Sequence, residues 1–257
     1  MGIRLDTFRS RVVAYATVDG QSYVTATADL NVLIDERLRS FTAKTKCLYS
    51  GAIKFTPSAD RSVYPFSNPV AGSDFATTFQ IDANQDGTYD TNVGLVGVVG
   101  AYWGSYYLNW YGYRRTTVRG AVERFAWPTN GSGTPFLWWE SGKALVLNPA
   151  PTSAAITAAT SGDSKILLSG WYQHPAILSA TSDSTNLSIP DEHLEVAAAW
   201  CAIGVMRPYA SGASLAKMNQ MQAECAQAMS EIRAQSEREY DSGPRNAVQP
   251  STVRLTN

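Results

Sequence analysis

Apolar residues along this chain change period twice, from helical spacing to alternation and back again. Near the N-terminus Leu5, Phe8, Val12 and Tyr15 recur at three- and four-residue steps, which predicts a helix over 4–17 that ends before Gly20. A second helix is predicted from Thr27, whose hydroxyl suits the free amides of a first turn, with Asp29 complementing the dipole. Its stripe is Leu30, Leu33, Ile34, Leu38, Phe41 and Leu48; Lys44 and Lys46 suit its last turns, and Gly51 its end. From residue 52 to about 187 the period falls to two. Strands are expected over 52–56, 77–81, 102–113, 119–126, 136–140, 144–147 and 165–172, separated by clusters of Pro, Gly, Asn and Asp. Ser141-Gly142-Lys143 marks the clearest hairpin.

Helical spacing returns at Pro190, a first-turn residue followed by Asp191 and Glu192. The run from Val196 to Met206 is apolar on nearly every face, so this helix should be buried; Pro208 ends it and Gly212 turns the chain. Leu215, Met218, Met221, Cys225, Met229 and Ile232 then define a long final helix. Leu30, Leu33, Leu38, Phe41, Leu194, Ala198, Cys201, Leu215, Met218 and Cys225 are the expected core where the terminal helices meet. The expectation is an α+β protein: a helical bundle formed by the N- and C-terminal helices (1–51 and 189–243), with a β-sandwich-like or small-barrel module (52–188) inserted between. An extended C-terminal tail, 244–257, completes it.

Composition narrows the function. Apolar residues make up 44% and charged residues 17%, as in a globular chain whose surface is partly covered by partners. The formal net charge of −1 provides no general pull toward nucleic acid or an anionic membrane. No apolar run is long enough to span a bilayer, and the N-terminus lacks the apolar core of a signal peptide. Cys47, Cys201 and Cys225 are widely spaced and odd in number, each on a predicted helix, which favours buried free thiols and synthesis in a reducing compartment.

Two stretches carry candidate chemistry. Asp82, Asn84, Asp86, Thr88 and Asp90, with Gly87 at the sixth position, follow the oxygen spacing of a calcium loop. Val93 stands where the bidentate glutamate would be, and the alternative is an Asx-rich turn between strands. Calcium is therefore the one cofactor in question. The second stretch, Trp103, Tyr107, Trp110, Tyr113, Arg114 and Arg115 among further aromatics, suits strand packing, a protein interface, or stacking on bases or sugars. Neither His174 nor His193 has a partner at metal-ligand spacing. The sequence has no nucleophile elbow, phosphate-cradling glycine loop or dinucleotide fingerprint, so it is not read as an enzyme.

The segment from Ala28 to Arg39 followed by Thr45-Lys46-Cys47-Leu48 resembles the opening of tailed-phage head-to-tail adaptor (connector) proteins. So do Leu145 to Pro151, Ile166 to Pro175, and Leu187 to Leu194 leading into an alanine-rich helix. The resemblance implies a structural virion protein of the neck, synthesised in the host cytoplasm. It implies a ring, commonly of twelve copies, docked on the portal, joining it to tail or other neck proteins and leaving a channel for genomic double-stranded DNA. In such adaptors the C-terminal tail engages the portal; here that places Arg245, Val248, Val253, Arg254 and Leu255 in the contact. The alternative is a carbohydrate- or receptor-binding virion module that uses the aromatic β region, with calcium assistance.

Overall fold

The computed structural model describes residues 3–18, 21–22, 27–66, 78–83, 86–89, 91–110, 132–162, 164–177 and 186–240. The chain runs through α1 (Leu5–Tyr15), the short strands β1 (Thr17–Val18) and β2 (Gln21–Ser22), and α2 (Thr27–Thr45). Strands β3 (Tyr49–Thr56), β4 (Val63–Pro65), β5 (Thr78–Ile81), β6 (Thr91–Asn92), β7 (Leu95–Trp103), β8 (Tyr106–Tyr107) and β9 (Asn109–Trp110) follow. Next come β10 (Ser132–Gly133), β11 (Leu137–Glu140), β12 (Ala144–Asn148), β13 (Ala150–Pro151), α3 (Ser153–Ala159) and β14 (Ile166–Tyr172). A 3-10 turn, Asp191–His193, leads into α4 (Leu194–Met206) and α5 (Gly212–Tyr240). Helices combine with mainly antiparallel sheets, and the chain is α+β.

Two compact units are present. The first joins the chain up to Leu48 to Tyr172–Glu239; the second is Tyr49–Trp171. In the first unit Leu5, Phe8 and Val12 of α1, Ile34, Leu38 and Phe41 of α2, Ala198 and Cys201 of α4, and Met218 and Cys225 of α5 belong to one hydrophobic cluster. Phe41 is fully buried, which is worth on the order of 1.5–3 kcal/mol over leaving such a side chain in water. Leu215 is a correction: it is 41% exposed, because the stripe of α5 begins at Ser214 and runs through Met218, Met221, Cys225, Met229, Ile232 and Ser236. One residue of offset turns a helical side chain by about 100°.

Gly51 does not close α2. The helix ends at Thr45, and Lys46 takes a left-handed conformation (φ 55°) with its amide donating to the Thr42 carbonyl at 2.9 Å. That is the geometry of a helix C-terminus usually given to glycine. Lys46 is held there by its ammonium on Glu237 Oε1 at 2.8 Å, and its carbonyl accepts the Ser236 hydroxyl. Cys47 consequently lies beyond the helix rather than on it. Towards its N-terminal end α5 is tied by Lys217 Nζ to the Thr17 carbonyl at 2.8 Å.

The chain that returns after β14 is fastened to α2 by polar contacts. Thr42 Oγ1 accepts the His174 amide at 2.9 Å, and Asp35 Oδ1 accepts the Ile177 amide at 2.8 Å. The His174 ring is buried with Nδ1 2.7 Å from the Pro175 carbonyl and Nε2 accepting the Ser188 amide at 3.2 Å. One donor and one acceptor nitrogen require the neutral ring. Burial depresses its pKa to about 4, against opposition from the Pro175 carbonyl and Asp35 and with support from Arg39.

The second unit holds a six-stranded sheet in the order β6-β5-β3-β14-β7-β8 and a four-stranded sheet in the order β4-β12-β11-β9. The hairpin at Gly142 forms as expected, pairing Trp138 with Leu147 and Glu140 with Leu145. Alternation puts Trp138 wholly inside while Trp139 stays partly exposed. The Glu140 carboxylate crosses to the other sheet and accepts the Val98 amide. Strand β7 departs from the expected 102–113 segment: it starts at Leu95, and Gly104 (φ +63°) turns the chain before β8. The expected strand at 119–126 lies outside the described residues. At the middle of the sheet Gly170 meets Gly97 so closely that a Cβ would fall 2.2 Å from the Gly97 carbonyl oxygen.

Two outcomes are expected. Gly170→Ala lowers stability by about 1–3 kcal/mol in urea unfolding, since the clashing atom is backbone and cannot step aside. For His174 the folded ring titrates near 4 and the free side chain near 6.5, so the unfolded chain binds the extra proton between those values. The stability it contributes is complete above about pH 6.5 and drains away toward pH 4 at up to about 1.4 kcal/mol per unit. His174→Asn is less stable than wild type at neutral pH, and the gap narrows by roughly 2–3 kcal/mol between about pH 7.5 and 4.5. A gap that stays constant with pH would remove the ring from the acid response.

Candidate interaction surfaces

The aromatic stretch splits between interior and surface because β7, Gly104 and β8 form a tight reversal. Pairing puts Tyr102 opposite Tyr107 and Trp103 opposite Tyr106. Tyr102 and Tyr107 meet edge to face at 4.9 Å, with the Tyr107 ring against Gly100. Trp103 is 1% exposed and fills the interior. Tyr106 reaches the Pro135 carbonyl with its hydroxyl at 3.4 Å. Trp110 pairs across the sheet with buried Trp138 yet remains 41% exposed. Phe136, which sequence reasoning missed, is 53% exposed. Among the described residues Tyr102, Tyr106, Trp110 and Phe136 are thus large apolar side chains that this part of the second unit turns to water. Tyr113, Arg114 and Arg115 lie outside the described residues, as do Arg245, Val248, Val253, Arg254 and Leu255.

The Asp82 loop folds as an Asx-type turn in the part described. Asp82 accepts the amides of Asp86 at 3.1 Å and Gly87 at 2.8 Å, and Asp86 accepts the amide of Thr88 at 2.7 Å. Gly87, at φ +88°, supplies the left-handed residue such a turn uses. Asn84 and Asp90 lie outside the described residues. No group of three or more His, Cys, Asp and Glu side chains is arranged to hold a metal among the described residues.

Nor do the thiols offer a nucleophile. All three are free, and burial pushes Cys47 and Cys225 up to about 11 and Cys201 higher still. Thiolate is the reactive form, and these side chains hold their protons. His193 is lowered by burial, opposed by Glu192. Among the described residues no helix is long and apolar enough to cross a membrane.

The first unit presents charge arranged by helix geometry. Arg37 and Lys44 of α2 lie over the ring of Trp200 on α4, at 5.1 and 4.3 Å from its centroid. The close approach of the helices here uses Gly204, whose Cβ would sit 2.4 Å from Arg37 Nε. On α5, Glu224 and Glu231 are exposed, and each accepts a hydrogen bond from a glutamine four residues earlier, Gln220 and Gln227. A further clasp joins α1 to α4, where Arg11 and the Tyr15 hydroxyl both meet Glu195. The signal for the Arg37–Trp200–Lys44 cluster was present as a seven-residue spacing, but the tryptophan it surrounds is 156 positions away in the chain.

No curated protein matches the chain. The family model of the SU10 adaptor protein matches residues 70–249, more than half of the sequence, in agreement with the resemblance carried by the short motifs. The chain belongs to the SU10 adaptor family of phage head-tail adaptors, a structural family of virion components that join other head and tail proteins.

Proposed function

We propose that the chain forms a ring of twelve copies that docks on the portal, connects it to the tail, and leaves a channel for DNA. The observation that carries this reading is the family match, which runs from the β-rich unit through both C-terminal helices. The single cluster formed by α1, α2, α4 and α5 supports it, since it provides a body whose sides can meet neighbouring copies. Repetition of one surface around a ring turns weak single contacts into strong joint binding when all engage together. A net charge of −1 suits a channel that must release DNA rather than hold it. The terminal segment 244–257, with Arg245, Val248, Val253, Arg254 and Leu255, serves as the portal contact. The β-rich unit, through Tyr102, Tyr106, Trp110 and Phe136, meets the tail-side partner.

Mixing the chain with its portal at micromolar concentration is expected to yield a high-order assembly by mass photometry. A chain that stays monomeric there, and solitary in the particle, contradicts the reading. Deletion of 244–257 is expected to abolish portal attachment in pull-down while the thermal midpoint stays unchanged. Attachment that survives the deletion takes the tail out of the mechanism.

A further inference from the structure

Arg37 and Lys44 are seven residues apart, so two turns of α2 place them on one flank of the helix about 10.5 Å apart. Both are steadied against the Trp200 ring. A cation resting on an aromatic face loses less side-chain freedom on pairing than one that waves in solvent. Among the described residues neither forms an ion pair with a carboxylate. Glu224 and Glu231 repeat the spacing on α5: seven residues, two turns, about 10.5 Å. Their hydrogen-bond partners are the neutral amides of Gln220 and Gln227, at 2.8 and 3.0 Å, and no cation pairs with either among the described residues. Elsewhere on these helices Asp35 pairs with Arg39 on α2, and Glu237 with Lys46 and Arg233 on α5.

We propose that neighbouring copies meet through the Arg37–Lys44 flank of α2 on one copy and the Glu224–Glu231 flank of α5 on the next. The inference rests on the ring reading and specifies which surfaces close it. Equal spacing lets both charge pairs form at once whether the helices run parallel or antiparallel. The two surfaces are different and of opposite sign, so each copy offers one of each, as a head-to-tail contact requires. A contact of α2 with α2, or of α5 with α5, would set like charges against each other. Charges of this kind contribute more to choice of partner and register than to raw affinity. A nucleic-acid backbone is the competing occupant of the cationic flank, but it leaves the matched acidic flank without a role.

The test is a charge exchange in the full-length chain, read by native mass spectrometry with portal present. Wild type assembles, and its assembly weakens as salt rises. The variant Arg37→Glu with Lys44→Glu has two acidic flanks; Glu224→Lys with Glu231→Lys has two basic ones. Each alone is expected to lose at least tenfold in assembly affinity. An equal mixture recovers assemblies that contain the two variants in equal numbers, because each then meets its opposite. The chain with all four changes assembles on its own. Thermal midpoints check folding; should Arg37→Glu unfold the chain through Trp200, Lys44→Glu is mixed instead with Glu231→Lys, its opposite when the helices run parallel, and with Glu224→Lys, its opposite when they run antiparallel. Reversed chains that assemble like wild type, or folded ones whose mixture does not recover, overturn the contact while leaving the ring intact. A wild-type chain that never assembles overturns the ring itself and the contact with it.

Discussion

The first unit is made from two stretches of chain separated by more than a hundred residues, and its integrity depends on fastening the second stretch to α2. Apolar burial supplies most of the driving force, but burial is indifferent to direction. The direction comes from Thr42, Asp35 and His174, which receive three backbone amides of the returning chain at fixed positions. A buried amide without a partner costs roughly 1–3 kcal/mol, so a register slip by one residue would orphan several at once. Leu187 adds a fourth tie by donating to the Ile3 carbonyl, next to the start of α1. With these in place Leu187 and Ile189 join the cluster, and α4 enters it already oriented.

Much of this was legible in the sequence, for reasons that can be given residue by residue. The stripes of α1 and α2 follow a 3.6 period strongly enough to name Phe8, Val12, Leu38 and Phe41 as core, and all are buried. The phase of α5 was misread at Leu215 because a stripe can begin on a small polar residue, Ser214, that hydropathy passes over. Strand β7 went unseen because Leu95 to Ala101 is buried on both faces, and nearly continuous burial removes the alternation that marks a strand. Gly97 and Gly100 lowered its propensity further, although they are there to admit Trp171 and Tyr107. The hairpin at Gly142 was plain because its turn residues and both strands are adjacent in sequence.

The surfaces were harder to read than the fold. Trp103 and Trp110 look alike in the sequence, yet one lies inside and the other at a sheet margin, a difference set by pairing with Tyr106 and Trp138. Arg37 and Lys44 gain their meaning only from Trp200, which sequence spacing cannot bring beside them. Family membership says what kind of part this is; the arrangement of side chains says which sides of it are unsatisfied.

Both margins of the six-stranded sheet are strands of only two residues, β6 and β8. Edge strands this short offer a foreign strand little length of their own to pair with. Among the described residues these margins are therefore poor templates for the stray sheet-to-sheet pairing that traps proteins in fibres.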